Sequence, residues 1–323
     1  MAKRITIVDV AKAVDLSVST VSKALMDATD IPEKTKELIR EKVEELGYVP
    51  NMSASSLKNG NSKIIAILCD SLINPYYHIV IYHLEILLSK KNYTISIYRS
   101  NNFDTNIFKK IISRNPEGII SFLVPEKNVE AKLKSQLIPT VICGRNSETL
   151  SSVYSNNEKA GRLAADYLIE QNCKKVLYIG ETEELPISKL RCKGFVDQLK
   201  KMKIEYKSYF KEEGVPLISL LNNLKISELM SCDGIYCFND IMAFEIKKYL
   251  TEMDRKDVVV VGMDYIQSDI PLPFSMTSIG IDKMELASKT VNILMKNFED
   301  PSFVHQLCID DVRVYCSKSI IKK

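Results

Sequence analysis

The sequence predicts an α/β protein in three parts: a small three-helix unit over residues 1–49, a linker over 50–61, and a doubly wound core over 62–323. Three observations predict it. Residues 5–25, ITIVDVAKAVDLSVSTVSKAL, hold two short helical periodicities separated by a break at Asp15. Pro50 before residues 51–58 and Asn59-Gly60-Asn61-Ser62 after them are the punctuation of a connector. From Lys63 onward, short apolar runs alternate with longer amphipathic ones, which is the signature of parallel sheets covered on both faces by helices.

In the first helix, Ile7, Val10, Ala11 and Val14 recur at helical spacing. Thr6 before it and Asp9 three residues on have the spacing of a capping box. Ser17 is a second capping residue, opening a helix whose inner face is Thr20, Val21, Ala24 and Leu25. Two such helices around a tight turn form a helix-turn-helix, and small Ala11 opposite Val21 lets them approach closely. The same pattern would serve any amphipathic αα-hairpin. The outer face of the second helix argues for more, since Val18, Ser19, Ser22 and Lys23 cover no core and are not the Glu/Lys mixture of a merely solvated helix. Short hydroxyls and a methyl-bearing side chain suit base edges and phosphates. A third helix over 32–47 enters at Pro32 and ends at Gly47, with Leu38, Ile39, Val43 and Leu46 as its expected buried stripe and its charges in solvent. Tyr48-Val49-Pro50 stops the bundle.

The net charge of +3 does not announce nucleic acid, and the first sixty residues carry nine cations and nine anions. Placement is more informative, because the acids gather between 27 and 45 while Lys3, Arg4, Lys12, Lys23 and Lys58 surround the motif. Met1-Ala2-Lys3-Arg4 does not lead into an apolar secretory segment, and no apolar run approaches the roughly 20 residues of a membrane span. The eight cysteines include no CxxC pair, and Cys69, Cys143 and Cys237 fall in or beside apolar runs. All eight are expected to be reduced, in a cytoplasmic protein.

Strands are expected at 64–69, 93–98, 118–124, 140–143, 175–179, 234–238 and 258–262, with helices between them, among others at 76–90, 158–171, 190–202, 240–253 and 282–298. In such sheets ligands bind beyond the carboxyl ends of the strands. Those ends carry Asp70, Asn74, Tyr76 and Tyr77 after the first strand, Asn239 after 234–238, and Asp264 after 258–262. Each tyrosine could equally pack on the sheet, and a lone Arg or Asp is more often a surface charge. Enzyme motifs are absent: no GxGxxG, no GxxxxGK[ST], no GxSxG and no HExxH. His78 and His83 stand five apart, on different helix faces, so neither a metal nor another cofactor is expected.

Thr6-Ile7-Val8-Asp9-Val10-Ala11 followed by Ser17-Val18-Ser19-Thr20-Val21-Ser22-Lys23 resembles the headpiece of LacI/GalR-family transcription regulators. Asn51-Met52-Ser53-Ala54-Ser55-Ser56-Leu57-Lys58 is similar to the family's hinge helix, with Leu57 at the place of the minor-groove wedge and Ser56 where a basic residue is frequent. Asp70-x-x-x-Asn74-Pro75-Tyr76-Tyr77 and Arg191, in Arg191-Cys192-Lys193-Gly194-Phe195, are similar to effector-site motifs. The resemblance implies a two-lobed core like that of periplasmic binding proteins, crossed by the chain several times, with lobes of 62–157 plus 283–304 and 158–282 plus 305–323. It implies a homodimeric regulator, expected to be a repressor, that reads an inverted-repeat DNA operator and answers to a small polar effector such as a sugar or derivative. Val18, Ser19 and Lys23 would read bases; Thr6, Ser17, Thr20, Ser22 and Asn51 would hold phosphates or the helix, with Tyr48, Leu57 and Lys58 completing the DNA set. Asp70, Asn74, Tyr76, Tyr77, Arg191, Asn239 and Asp264 would hold the effector. There are departures. Asp15 stands where the turn usually has Gly, and Gly144-Arg145 where an Asp–Arg pair is usual. Ser155-Asn156 lacks an aromatic that some relatives have, and Ser278-Ile279-Gly280-Ile281 lacks a usual Gln. A sugar-binding protein that reads no DNA is the alternative, and an enzyme on an α/β scaffold a further one.

Overall fold

A computed structural model describes residues 5–49, 62–212, 214–223, 226–271 and 276–316. The expected hinge, including Asn51, Leu57 and Lys58, lies outside the described residues. Contacts divide the chain into Met1–Ser62 and Lys63–Lys323.

The N-terminal unit contains α1 (Ile7–Ala13), α2 (Val18–Leu25) and α3 (Glu33–Leu46) around buried Val10, Ala11, Val21, Ala24 and Ile39. The capping box forms as its spacing predicts: Thr6 N–H donates to Asp9 Oδ2 at 2.9 Å, and Asp9 N–H donates to Thr6 Oγ1 at 3.4 Å. Ser17 Oγ accepts the Thr20 N–H at 3.0 Å and caps α2. Asp15 takes φ 51°, the left-handed turn conformation that Asp tolerates better than most residues. Two expectations for α3 fail. Leu38 is 48% exposed, because the stripe runs through Thr35, Lys36, Ile39, Val43 and Leu46, and Leu38 falls a helical step off it. Lys36, on the supposed solvent face, is 7% exposed and pairs with Asp27 at 2.8 Å and Glu33 at 3.4 Å. Its stem joins the core while the ammonium reaches the carboxylates. Ser17→Ala is expected to cost about 1 kcal/mol of headpiece stability, visible as faster amide exchange across α2 in the full chain.

The larger unit holds two six-stranded sheets. The first contains β1 (Ile64–Cys69), β2 (Thr94–Arg99), β3 (Gly118–Ser121), β4 (Thr140–Cys143), β5 (Ser151–Ser155) and β11 (Gln306–Ile309), all parallel, in the order β11-β5-β4-β3-β1-β2. The second contains β6 (Lys175–Gly180), β7 (Glu205–Phe210), β8 (Gly234–Cys237), β9 (Val259–Met263), β10 (Thr277–Gly280) and β12 (Arg313–Tyr315), in the order β12-β10-β9-β8-β6-β7. Its edge strand β12 is antiparallel to β10, where the sequence suggested parallel pairing throughout. The expected lobe boundary at 304/305 is also too early, since β11 pairs with β5 and the last crossing falls between Ile309 and Arg313.

The helices are α4 (Pro75–Ser89), α5 (Thr105–Ile112), α6 (Lys127–Ser135), α7 (Asn157–Glu170), α8 (Pro186–Met202), α9 (Leu217–Asn223), α10 (Ile226–Ser231), α11 (Asp240–Glu252) and α12 (Lys283–Glu299). They explain why the strands read as unbroken apolar runs. Along β1, Ile65 and Ile67 pack with Val80, Leu84 and Leu294, while Ala66 and Leu68 pack with Phe103, Ile107 and Ile111 on the other face. Both faces are thus dry. No described helix is long and apolar enough to cross a membrane.

Candidate functional site

On the headpiece, α2 turns Val18 and Ser19 to solvent, with Val18 40% exposed. Ser22 is half-buried, and Lys23 is exposed but paired with Asp30, a partner the sequence reading did not identify. Thr20 and Ser17 share a hydrogen bond between their hydroxyls at 2.8 Å, and Thr6 is engaged with Asp9, so these three first of all build helix ends. Tyr48 packs half-buried against the headpiece core.

In the larger unit, the strands of both sheets end at a common cleft between the lobes. Asn74, Tyr76, Tyr77, Arg191, Asn239 and Asp264 line one cavity of about 60 Å³ there, together with Gly144, Arg145, Phe238 and others. It opens beside a chamber of about 590 Å³ that shares Arg145, Ser155 and Ile187 with it and adds Asn101, Asn102, Tyr154 and Leu190. Of the seven residues expected at an effector site, Asp70 alone does not line the inner cavity. It instead pairs with Arg145 across 3.2 Å and so places that guanidinium in the wall of both spaces. Arg145 is the functional candidate that the sequence reading missed, although its position directly beyond β4 was a usable signal.

Arg191 is the most constrained of these side chains. It comes from α8, packs 4.6 Å over the Phe238 ring, and donates from Nε to Asn157 Oδ1 at 2.9 Å and from Nη1 to Phe238 O at 2.5 Å. Its Nη2 lies 3.7 Å from Asp264 Oδ1, and both side chains are almost wholly buried. Burial pushes the Asp264 carboxyl up to about 6, and the cations of Arg191 and Lys283 oppose that rise. Behind it, Asp240 is pushed up to about 8, first by burial and then by Asp264.

Asn74 and Asn239 are less free than expected. Each is a helix cap, with Oδ1 accepting the N–H of Tyr76 at 3.0 Å or of Met242 at 2.8 Å. Among the described residues their amide N–H groups have no hydrogen-bond partner and can turn to a ligand. The two tyrosines serve both roles considered for them: Tyr76 and Tyr77 meet edge to face at 5.6 Å, Tyr77 meets Phe122 at 5.0 Å, and both line the cavity. Gly144 is where the chain needs glycine, at φ 81° with the Tyr76 hydroxyl 3.3 Å from where a Cβ would be. Ser278, in the segment that departs from the family pattern, is buried and donates to Asp240 Oδ1 at 2.5 Å. An acid, an arginine, amides and aromatic faces converge here, which suits a small polar organic ligand. No cluster of three or more His, Cys, Asp or Glu suited to a metal occurs among the described residues, and none of the eight cysteines is joined in a disulfide.

Residues 6–51 match the model of bacterial regulatory proteins of the lacI family, and residues 99–272 match the periplasmic binding protein domain. The HTH-type transcriptional regulator MalR of Streptococcus pneumoniae is 25% identical over 322 residues, covering 94% of this chain and 96% of its own. The HTH-type transcriptional repressor PurR of Aliivibrio salmonicida is 25% identical over 333 residues, covering 98% and 99%. Among solved structures, the lac repressor dimer bound to operator and an anti-inducer superposes with a TM-score of 0.83 at 18% identity, covering 98% of this chain and 99% of that one. At that identity the superposition speaks to fold.

Proposed function

Since the chain belongs to the lacI family of bacterial regulatory proteins and carries a periplasmic binding protein domain, we propose that it is an effector-controlled, DNA-binding transcription repressor. The observation that carries this reading is the outward face of α2: short side chains, capped at Ser17 and backed by a closed core, with no packing duty of their own. It works as a homodimer on an inverted-repeat operator, one headpiece per half-site. Val18, Ser19 and Lys23 contact bases; Thr6, Ser17, Thr20, Ser22, Tyr48, Asn51 and Lys58 hold the backbone and the helices; Leu57 wedges the minor groove.

The effector is a sugar or related polar metabolite taken into the cleft by Arg191, Asp264, Asn74, Asn239, Tyr76 and Tyr77, with Asp70 acting through Arg145. It shifts DNA affinity only by the difference in its own affinity for two lobe arrangements. A cavity of about 60 Å³ is smaller than such a ligand, so admission requires the lobes to part or the side chains to move. The protein works in the cytoplasm, without a cofactor and without turnover.

A gel shift with DNA from upstream of its own gene tests this. A retarded band is expected that unlabelled copies of the inverted repeat abolish and unrelated DNA does not, and that one of a panel of sugars and sugar phosphates weakens or strengthens. Folded protein that gives no specific band at modest salt, yet binds a sugar, is instead a sugar-binding protein. Product formation from that panel would make it an enzyme.

A further inference from the structure

The loop after β9 carries two successive non-glycine residues in left-handed backbone, Asp264 at φ 103° and Tyr265 at φ 49°. L side chains persist there only where their surroundings over-determine them. Part of the support comes from the second lobe itself. Ile279 O accepts the Asp264 N–H at 2.7 Å, Ser278 Oγ accepts the Tyr265 N–H at 2.9 Å, and Asp240 Oδ2 accepts the Ile266 N–H at 2.8 Å. The Tyr265 ring lies 3.6 Å from Tyr315 and parallel to it within 3°.

The remaining support comes from the opposite lobe. Lys283 opens α12, a helix that packs on α4, β3, β4 and β5. Its Nζ donates to Tyr265 O at 2.8 Å, Ser268 Oγ at 3.0 Å and Asp264 O at 3.3 Å, and pairs with Asp269 at 3.2 Å. The side chain is 2% exposed, and a buried ammonium is tolerated only when its three N–H groups are met. Every one of these partners lies in the single loop 264–269. From the same lobe as α12, His83 of α4 comes within 3.5 Å of Asp269.

We propose that Lys283 is a positioning residue of the cleft: from the first lobe it clasps the 264–269 loop, holds Asp264 in its left-handed backbone facing Arg191, and so ties the carboxylate's position to the arrangement of the lobes. The proposal rests on the reading of the cleft as the effector site. A lobe movement that draws α12 off the loop withdraws a donor from two carbonyls and a cation from Asp269 together. The charged groups around Asp264 are Arg191, Lys283 and Asp240, with the Tyr76 and Tyr236 hydroxyls beside them.

The test uses the full chain as wild type, Lys283→Met, Lys283→Arg and Asp269→Asn. Hydrogen exchange is followed over residues 258–271, and the Asp264 carboxyl is titrated by carbon NMR, its resonance identified by its loss in Asp264→Asn. In Lys283→Met the loop is expected to exchange about tenfold faster while β1–β3 keep their rates. The Asp264 midpoint is expected to rise above its wild-type value of about 6, because a cation favouring the carboxylate has gone. Lys283→Arg should recover most of both effects, which simple loss of packing would not produce. Unchanged exchange and midpoint in Lys283→Met overturn the proposal, as does an arginine variant no better than methionine. Should Lys283→Met fail to fold, Asp269→Asn decides: faster loop exchange supports the clasp and an unchanged rate rejects it. Failure of the effector reading is seen elsewhere, as wild-type operator binding that no ligand alters, and it leaves these measurements standing.

Discussion

Replacing Gly161 by alanine is expected to destabilise the core by about 3 kcal/mol or more, lowering its thermal midpoint by about 6–12 °C at the 2–4 °C per kcal/mol usual for large domains. The cause is a backbone-to-backbone crossing of α7 and α8. A Cβ at Gly161 would stand 2.0 Å from Arg191 O and 2.8 Å from Phe195 N, and a Cβ at Gly194 would stand 2.0 Å from Glu158 O. These are main-chain atoms, so no rotamer change relieves the overlap and the helices must separate. Gly194→Ala should therefore cost a similar amount. The two together should cost clearly less than their sum, because one separation accommodates both methyl groups. The consequence reaches the cleft, since the atom that Gly161 makes room for is the carbonyl of Arg191. Denaturation of both single variants and the double variant checks this. Single variants within about 0.5 kcal/mol of wild type, the scatter of surface substitutions, would show that the helices have room to spare.

That crossing shows what the sequence could and could not reveal. Gly194 was visible in Arg191-Cys192-Lys193-Gly194-Phe195, but its partner at Gly161 belongs to an otherwise ordinary helix, and only the fold brings the two together. Most of the strands that were legible, such as β1 and β8, are buried on both faces, because continuous burial demands continuous hydrophobicity, while the partly exposed edge strand β2 was legible too, in the alternation Thr94-Ile95-Ser96-Ile97. β7, EYKSYF, is a sheet edge with alternating exposure, and β11 is the opposite sheet's edge, so neither has that pattern. β5, SSVYS, is buried but polar: Ser151 Oγ donates to Phe303 O and Ser152 Oγ to Asn146 Oδ1, partners that hydropathy cannot register. In the headpiece the caps were legible because they are local, whereas buried Lys36 was not, because Asp27 lies outside its helix.

The cleft divides in the same way. Residues at or just beyond strand ends were identifiable because doubly wound sheets place ligands there, and together with Arg191, which the family resemblance supplied from within α8, six of the seven line one cavity. What arranges them was hidden. Asp70 finds Arg145, Arg191 finds Asn157, and Lys283 finds a loop that ends fourteen residues before it in the chain, at Asp269. The groups offering a ligand hydrogen bonds are local features; the groups aiming them are tertiary.

Asp240 gives the second large effect, a loss of stability as the solution becomes alkaline. An aspartate in the unfolded chain releases its proton near pH 4, whereas burial pushes folded Asp240 up to about 8 and folded Asp264 up to about 6. Between those values the folded state holds protons that the unfolded state has lost, so unfolding is increasingly favoured as pH rises. Stability should fall from about pH 4, with both groups contributing up to about 6 and Asp240 alone from there to about 8, and then level off. The slope approaches about 1.4 kcal/mol per pH unit for each group at its steepest. Surface acids whose carboxyls are held low by neighbours, such as Asp30 by Lys23 and Asp310 by Lys159, act in the opposite sense and below this window. Asp240→Asn isolates the effect. Its carbonyl oxygen can accept the Ile266 N–H and its amide can meet Ser278 Oγ, so the two contacts that hold the 264–266 backbone survive without a titrating proton. The variant should match wild type at or below about pH 4, exceed it increasingly in stability from there to about pH 8, and lose Asp240's share of the slope throughout while keeping the part due to Asp264. Urea unfolding at unit pH intervals reads this directly, and parallel curves for the two proteins from pH 5 to 8 would mean that Asp240 is already ionised in the folded chain.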